Sequence, residues 1–280
     1  MHRWLIDRAG VRITVRAKTD AAKKLVEVAL AGMRPESIGK AQGIKLTVTG
    51  EEGDWHLRDH HSDIQRKLAN PGDLIYHLTD RIVFHIADKV SEKHCLHAAA
   101  VSYKGRALVI PANSGAGKSS FTTWLVANGF DYITDELILI DNDLKIDGLG
   151  RPIQIKAHGI EAVQSQLRSV DEIFKGKLAN AVPVASLGGE TSTLAEHQLG
   201  LLVFPQYKKD LEYSFTKLSC ADAGMRLMAN HVNARNLEGH GFKAMMQMIR
   251  NTPCYSLDYG GFDKLPDDFS AQLKSLVEVD

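Results

Sequence analysis

The chain has 280 residues, with 34 Lys and Arg against 34 Asp and Glu, so its net charge is zero with histidine neutral. That length can bury one large or two modest cores and excludes a zinc finger or a disulfide mini-scaffold, and the balanced charge excludes a sequence-blind nucleic-acid coat. Its three cysteines, Cys95, Cys220 and Cys254, lie far apart and offer neither a disulfide framework nor the spacing of a zinc site. Charge interrupts the first apolar run at once, and no apolar stretch reaches the ~18 residues of a membrane helix. We therefore expect a soluble, cytoplasmic chain in a reducing compartment, with no membrane and no nucleic acid among its partners.

In chain order, residues 11–15 alternate apolar and polar as a half-buried strand does, residues 21–33 carry apolar side chains at helical spacing, and residues 44–48 alternate again. The stretch 59–63, with adjacent His60 and His61, reads as a solvated loop. A helix is expected over 73–90. Residues 98–101 and 107–110 are apolar runs around the turn dipeptide Lys104-Gly105, the signature of a β-hairpin. The hairpin leads into a loop over 111–120, followed by a helix bearing Phe121, Trp124 and Leu125 and stopped at Gly129. A strand carrying Asp135-Glu136 then runs into 137–140. Beyond it, 201–204 reads as a buried strand, and 221–232, 242–249 and 266–277 read as helices. The change of pattern near His94 suggests an accessory α+β region over 1–92 and a catalytic domain over 93–280.

The loop carries the clearest chemistry. Asn113, Ser114, Gly115, Ala116, Gly117, Lys118, Ser119 and Ser120 lie between a strand and an amphipathic helix. Glycines let backbone N–H groups converge on phosphate oxygens, and the helix start adds its positive dipole end. Lys118 would reach the outer phosphates and the Ser119 hydroxyl would sit on Mg²⁺. Ala112 stands where this pattern has its first glycine, which is tolerable where φ is negative. With Lys104 and Gly105 as the turn, counting outward sets His97 opposite Ala112, about 5 Å away at Cβ. Asp135 and Glu136 follow Lys118 by 17 and 18 residues, suitable for one carboxylate on the metal and one as base. A regular strand would point them to opposite faces, so either they sit at a strand end or bulge, or one alone works. Lys156 and Arg235 are candidate cations for the transferring phosphoryl group. Met225, Met228, Met245, Met246 and Met248 read as core packing.

His97, the loop at Lys118 and the acid pair resemble the HPr serine kinase/phosphorylase family, whose phosphate loop also follows a hairpin opened by a histidine. The segments around Arg151-Pro152, Phe204-Pro205-Gln206-Tyr207 and Asn233-Ala234-Arg235-Asn236 look like its divergent HPr-kinase-related members. The resemblance implies a mixed-sheet α/β kinase domain of the phosphoenolpyruvate carboxykinase type that uses ATP and Mg²⁺. It implies His97 as a catalytic-site histidine, Lys118 as phosphate lysine, Ser119 at Mg²⁺, and the second acid as general base toward a protein serine; Asp135 is read as the metal carboxylate, or as the base where the second acid does not serve. Two departures stand out: that second acid is Glu136 rather than aspartate, and no later Glu-x-Arg-Gly segment follows. The expected activity is serine phosphorylation of a protein or peptide, in a chain that could form a homo-oligomer. A small-molecule kinase and a nucleotide-binding regulator without transfer activity are the alternatives.

Overall fold

In a computed structural model describing residues 2–156, 159–167, 169, 173–187 and 197–278, the chain opens with antiparallel strands β1 (His2–Arg8) and β2 (Val11–Ala17). Alternation along β2 buries Ile13, Val15 and Ala17 and turns Arg12 and Arg16 outward. Helix α1 (Asp20–Leu30) starts where the Thr19 hydroxyl accepts the Ala22 N–H. Strands β3 (Glu36–Ser37), β4 (Ile44–Glu51), β5 (Asp54–Asp59) and β6 (Ile64–Leu68) follow, then α2 (Pro71–Lys89), begun by the proline that a first helical position accepts. The hairpin of β7 (His94–Tyr103) and β8 (Arg106–Pro111) leads to α3 (Lys118–Ala127). Next come β9 (Asp131–Thr134), β10 (Leu137–Ile140), β11 (Lys145–Gly148), β12 (Ile153–Lys156), a short α4 (Ile160–Val163) and β13 (Ala179–Val182). The remainder is β14 (His197–Tyr207), β15 (Ser214–Lys217), α5 (Cys220–Met228), α6 (Phe242–Asn251), β16 (Cys254–Tyr259) and α7 (Phe269–Glu278).

These elements form two units of mixed α/β structure. The first comprises Met1–Val90 and Gly150–Ser186, the second Ser91–Leu149 and Leu187–Asp280. Residues 150–186 join the first unit although 91–149 separate them from it along the chain. The cause is long-range pairing: β12 pairs β13, β13 packs on α2, and the N–H groups of Lys177 and Leu178 donate to the buried Asp73 carboxylate.

The first unit is a six-stranded sheet ordered β3-β1-β2-β4-β5-β6, with β2 and β4 parallel and the other pairs antiparallel. Helices α1 and α2 pack on it and on each other. Residues 60–63 are exposed, as a solvated loop should be, but Asp59 turns inward to meet Arg81 and His85 of α2.

The second unit has a sheet ordered β11-β10-β7-β8-β14-β16-β15, and β11 also pairs β14, closing part of it on itself. Ala98, Ala100, Val109, Ile138, Leu202 and Phe204 anchor its core. Lys104 and Gly105 both take positive φ at the hairpin turn, the conformation a tight two-residue connection requires. Helix α5 stops at Met228, short of the expected 232, because 230–233 turns to run along β7: His97 donates its N–H to the Asn230 carbonyl and Val232 to that of Cys95. Met245 and Met248 are core residues as expected, whereas Met225 and Met228 are exposed.

Candidate functional site

Strands β8 and β7 deliver the two sides of the site. Hairpin pairing runs from Tyr103↔Arg106 to Ala98↔Pro111, so β8 ends one residue before Ala112 and hands the chain to the glycine loop. Asn113, Ser114 and Gly115 are exposed at its lip. Gly115 and Gly117 adopt φ of 93° and 88°, while Ala112 keeps out of the left-handed region, which is why a methyl group fits there. Gly117 is the cap of α3 and, having no side chain, caps none of that helix's first N–H groups itself. Uncapped donors and the helix dipole form a local anion-attracting end.

Lys118, the first residue of α3, folds its side chain inward and is only 7% exposed. Its Nζ lies 2.9 Å from Nε2 of His97, 3.1 Å from the Asp135 carbonyl and 3.9 Å from Oε2 of Glu136. An ammonium group only donates, so a hydrogen bond between the two requires His97 Nε2 to accept, with the ring proton on Nδ1. The same Nε2 lies 3.3 Å from Oε1 of Glu136.

The acid pair occupies a bend between β9 and β10, both of which pair with β7. Of the two arrangements the sequence left open, this is the strand end. The two carboxylates have different surroundings. Asp135 is fully buried, with Oδ2 accepting from the Ser119 hydroxyl at 3.5 Å and Oδ1 from the Tyr132 hydroxyl at 3.4 Å. Glu136 keeps 31% of its side chain exposed and faces His97 and Lys118. His97, Lys118, Ser119, Asp135 and Glu136 thus converge within one unit.

Lys156 belongs to the first unit, at the exposed end of β12. Arg235 is exposed in a short 3-10 turn of the second unit. The sequence reading also missed the residues that brace the loop. Tyr207 donates its N–H to the Ala116 carbonyl, and the buried Tyr259 hydroxyl reaches the Gly117 carbonyl at 3.4 Å. Asn233, fully buried, accepts the Cys95 N–H and donates to the Lys93 carbonyl, fixing the start of β7. Both Tyr207 and Asn233 lie in segments singled out by the resemblance, which was the one available signal. Cys95 beside them is a packing residue, its thiol pushed up to about 12 by burial.

No protein-family model matches the chain. HPr kinase/phosphorylases from two strains of Clostridium botulinum are 26% identical to it over 138 residues. The chain is HPr-kinase-like in sequence, at a divergent level of identity. The similarity covers 49% of this chain but only 40% of those relatives' length. Among solved structures, the HPr(Ser) kinase/phosphatase of Coxiella burnetii is 12% identical, covering 65% of this chain and 93% of that one at a TM-score of 0.32. For this HPr-kinase-like chain the donor set fits a hard cation: Ser119 and Asp135 offer a hydroxyl and a carboxylate, the oxygen ligands Mg²⁺ takes in small number beside phosphate and water. Among the described residues no group of three or more His, Cys, Asp and Glu forms a metal cage.

Proposed function

We propose that the chain is an ATP- and Mg²⁺-dependent kinase that phosphorylates a serine hydroxyl of a protein or peptide, on a catalytic domain of the HPr kinase and phosphoenolpyruvate carboxykinase type. The observation that carries this reading is the convergence of the Lys118 ammonium, His97 and both carboxylates at the foot of the glycine loop. The relatives' name supports a protein acceptor, since HPr kinases are named for one.

The backbone from Asn113 to Ser120 would cradle phosphate oxygens, and Lys118 would neutralise the outer phosphates. Ser119 and Asp135 would hold Mg²⁺, which supplies charge neutralisation on the phosphates when bound. Burial of Asp135 against Ser119 suits it to the metal, whereas the partly exposed Glu136 can meet an incoming hydroxyl. Glu136 would accept the serine proton as the serine oxygen bonds to the γ-phosphorus, the bond to the β-phosphate bridging oxygen breaks, and ADP departs. Its extra methylene, relative to aspartate, gives the carboxylate the reach to contact both His97 and Lys118. His97 would position Lys118 through Nε2.

The test is γ-labelled ATP added to the purified chain with cell extract. A labelled protein band containing phosphoserine, lost with Lys118→Met, is expected. Label confined to small metabolites would instead establish the small-molecule kinase, and nucleotide binding without transfer to any acceptor would establish the regulator.

A further inference from the structure

The sheet of the first unit has a face the proposed reaction does not use. Helices α1 and α2 cover one side; the strand register fixes what the other presents. Arg3 stands directly opposite Arg16, Arg16 opposite Thr47, and Thr47 opposite Arg58, with the exposed Lys18 and Lys45 to either side of that row. Two adjoining hollows of about 470 and 400 Å³ lie on this face and share Arg16, Thr47 and His60.

The charge is concentrated here. The first unit holds 20 Lys and Arg against 15 Asp and Glu, although the whole chain is neutral. Arg3 and Arg16 set two like charges directly across a strand pair. Part of the charge is met within the face, as Asp54 pairs with Lys67 and Asp63 with Arg58. Among the described residues, no ion pair engages Lys18, Lys40 or Lys45. His60, at the junction of the hollows, senses the surplus: burial first, then Arg58, Lys45 and Lys18, hold its imidazolium below the ordinary range against the pull of Asp59.

We propose that this face binds an extended acidic polypeptide segment. An extended chain presents same-face side chains every ~6.8 Å, the repeat that separates Lys45 from Thr47 along β4 beneath. Guanidinium groups pair carboxylates through two parallel hydrogen bonds. Neither hollow is lined by Phe, Tyr or Trp, so the stacking platforms that hold single-stranded nucleic acid are missing.

Fluorescence anisotropy of a labelled glutamate-rich peptide with the full chain tests this without nucleotide, so the result stands apart from the kinase reading. Binding is expected at low salt and should weaken at least about tenfold toward 0.3 M salt, where exposed charges are screened. The Lys18→Glu/Lys45→Glu variant should lose at least about tenfold in affinity at an unchanged melting temperature. Lys24→Glu/Lys89→Glu, the same charge change on α1 and α2, should retain binding. Absence of binding, equal loss in both variants, or tighter binding of a single-stranded oligonucleotide or an anionic phosphatidylserine vesicle would overturn the proposal.

Discussion

Nε2 of His97 faces both a cation and an anion, and it cannot accept from Lys118 and donate to Glu136 in one protonation state. With the proton on Nδ1 the ring would hold Lys118 and, in the proposed reaction, leave Glu136 to take a proton. Glu136→Gln should therefore lower phosphoryl transfer by about 10²–10⁴-fold while an ATP analogue still binds, and Asp135→Asn should instead weaken Mg²⁺-dependent nucleotide binding; calorimetry beside initial rates separates the two. A second residue-scale case lies in the first unit. Burial alone would raise the Asp59 carboxyl, but the His85 hydrogen bond, the N–H groups of Ser62 and His61 and the His85 charge hold it down to about 2. His85 moves below its ordinary range, chiefly through burial, so the neutral ring donates Nε2–H to Asp59 while Arg81 supplies the positive charge. Both groups then favour folding at higher pH. The His85 contribution is complete above 6.5 and lost as pH falls below it; that of Asp59, about 2 kcal/mol, is complete above 3.8 and lost as pH falls toward 2. Asp59→Asn should cost about 3 kcal/mol at neutral pH by stranding Arg81 and remove the lower acid step. Urea unfolding followed by circular dichroism, across pH, measures both effects.

Among the elements, the loop entering α3 is closely enclosed. A Cβ on Gly117 would lie 2.5 Å from the Tyr259 hydroxyl and 2.8 Å from the Tyr207 Cβ, at a φ of 88° that side chains avoid. Gly117→Ala should cost about 1–3 kcal/mol and abolish nucleotide binding, whereas Ala112→Gly should leave binding intact, as thermal melts with and without an ATP analogue would show. This loop, its hairpin and the acid pair were legible in the sequence because turn chemistry and glycine spacing are local. Even the register count was sound, since Ala98↔Pro111 lies on the line from the Lys104-Gly105 turn. Strand β6 was not legible: as a sheet edge it carries Gln65, Arg66 and Lys67 and shows no apolar alternation. Strand β16 escaped too, its partners on β14 lying some fifty residues away. The bracing tyrosines and the membership of 150–186 depend likewise on long-range pairing, as does the placement of Lys156, which no local pattern encodes.

At the scale of the whole molecule, the zero net charge conceals an uneven division. The first unit carries 20 basic and 15 acidic residues, and the second 14 and 19, so the chain is +5 in one unit and −5 in the other. A neutral molecule lacks the overall repulsion that keeps copies apart, and opposite signs on two units let the basic unit of one copy attract the acidic unit of the next. That attraction falls off within ~10 Å at 0.1 M ionic strength. Static light scattering near pH 7 should therefore show attraction between molecules at low salt that fades as salt is added, the reverse of a uniformly charged protein. Lys18→Glu/Lys45→Glu takes the first unit from +5 to +1 and the chain from neutral to −4, so the low-salt attraction should turn to repulsion. Attraction unchanged by salt or by this variant would assign self-association to apolar contacts, with the exposed Met225 and Phe242 the first positions to replace.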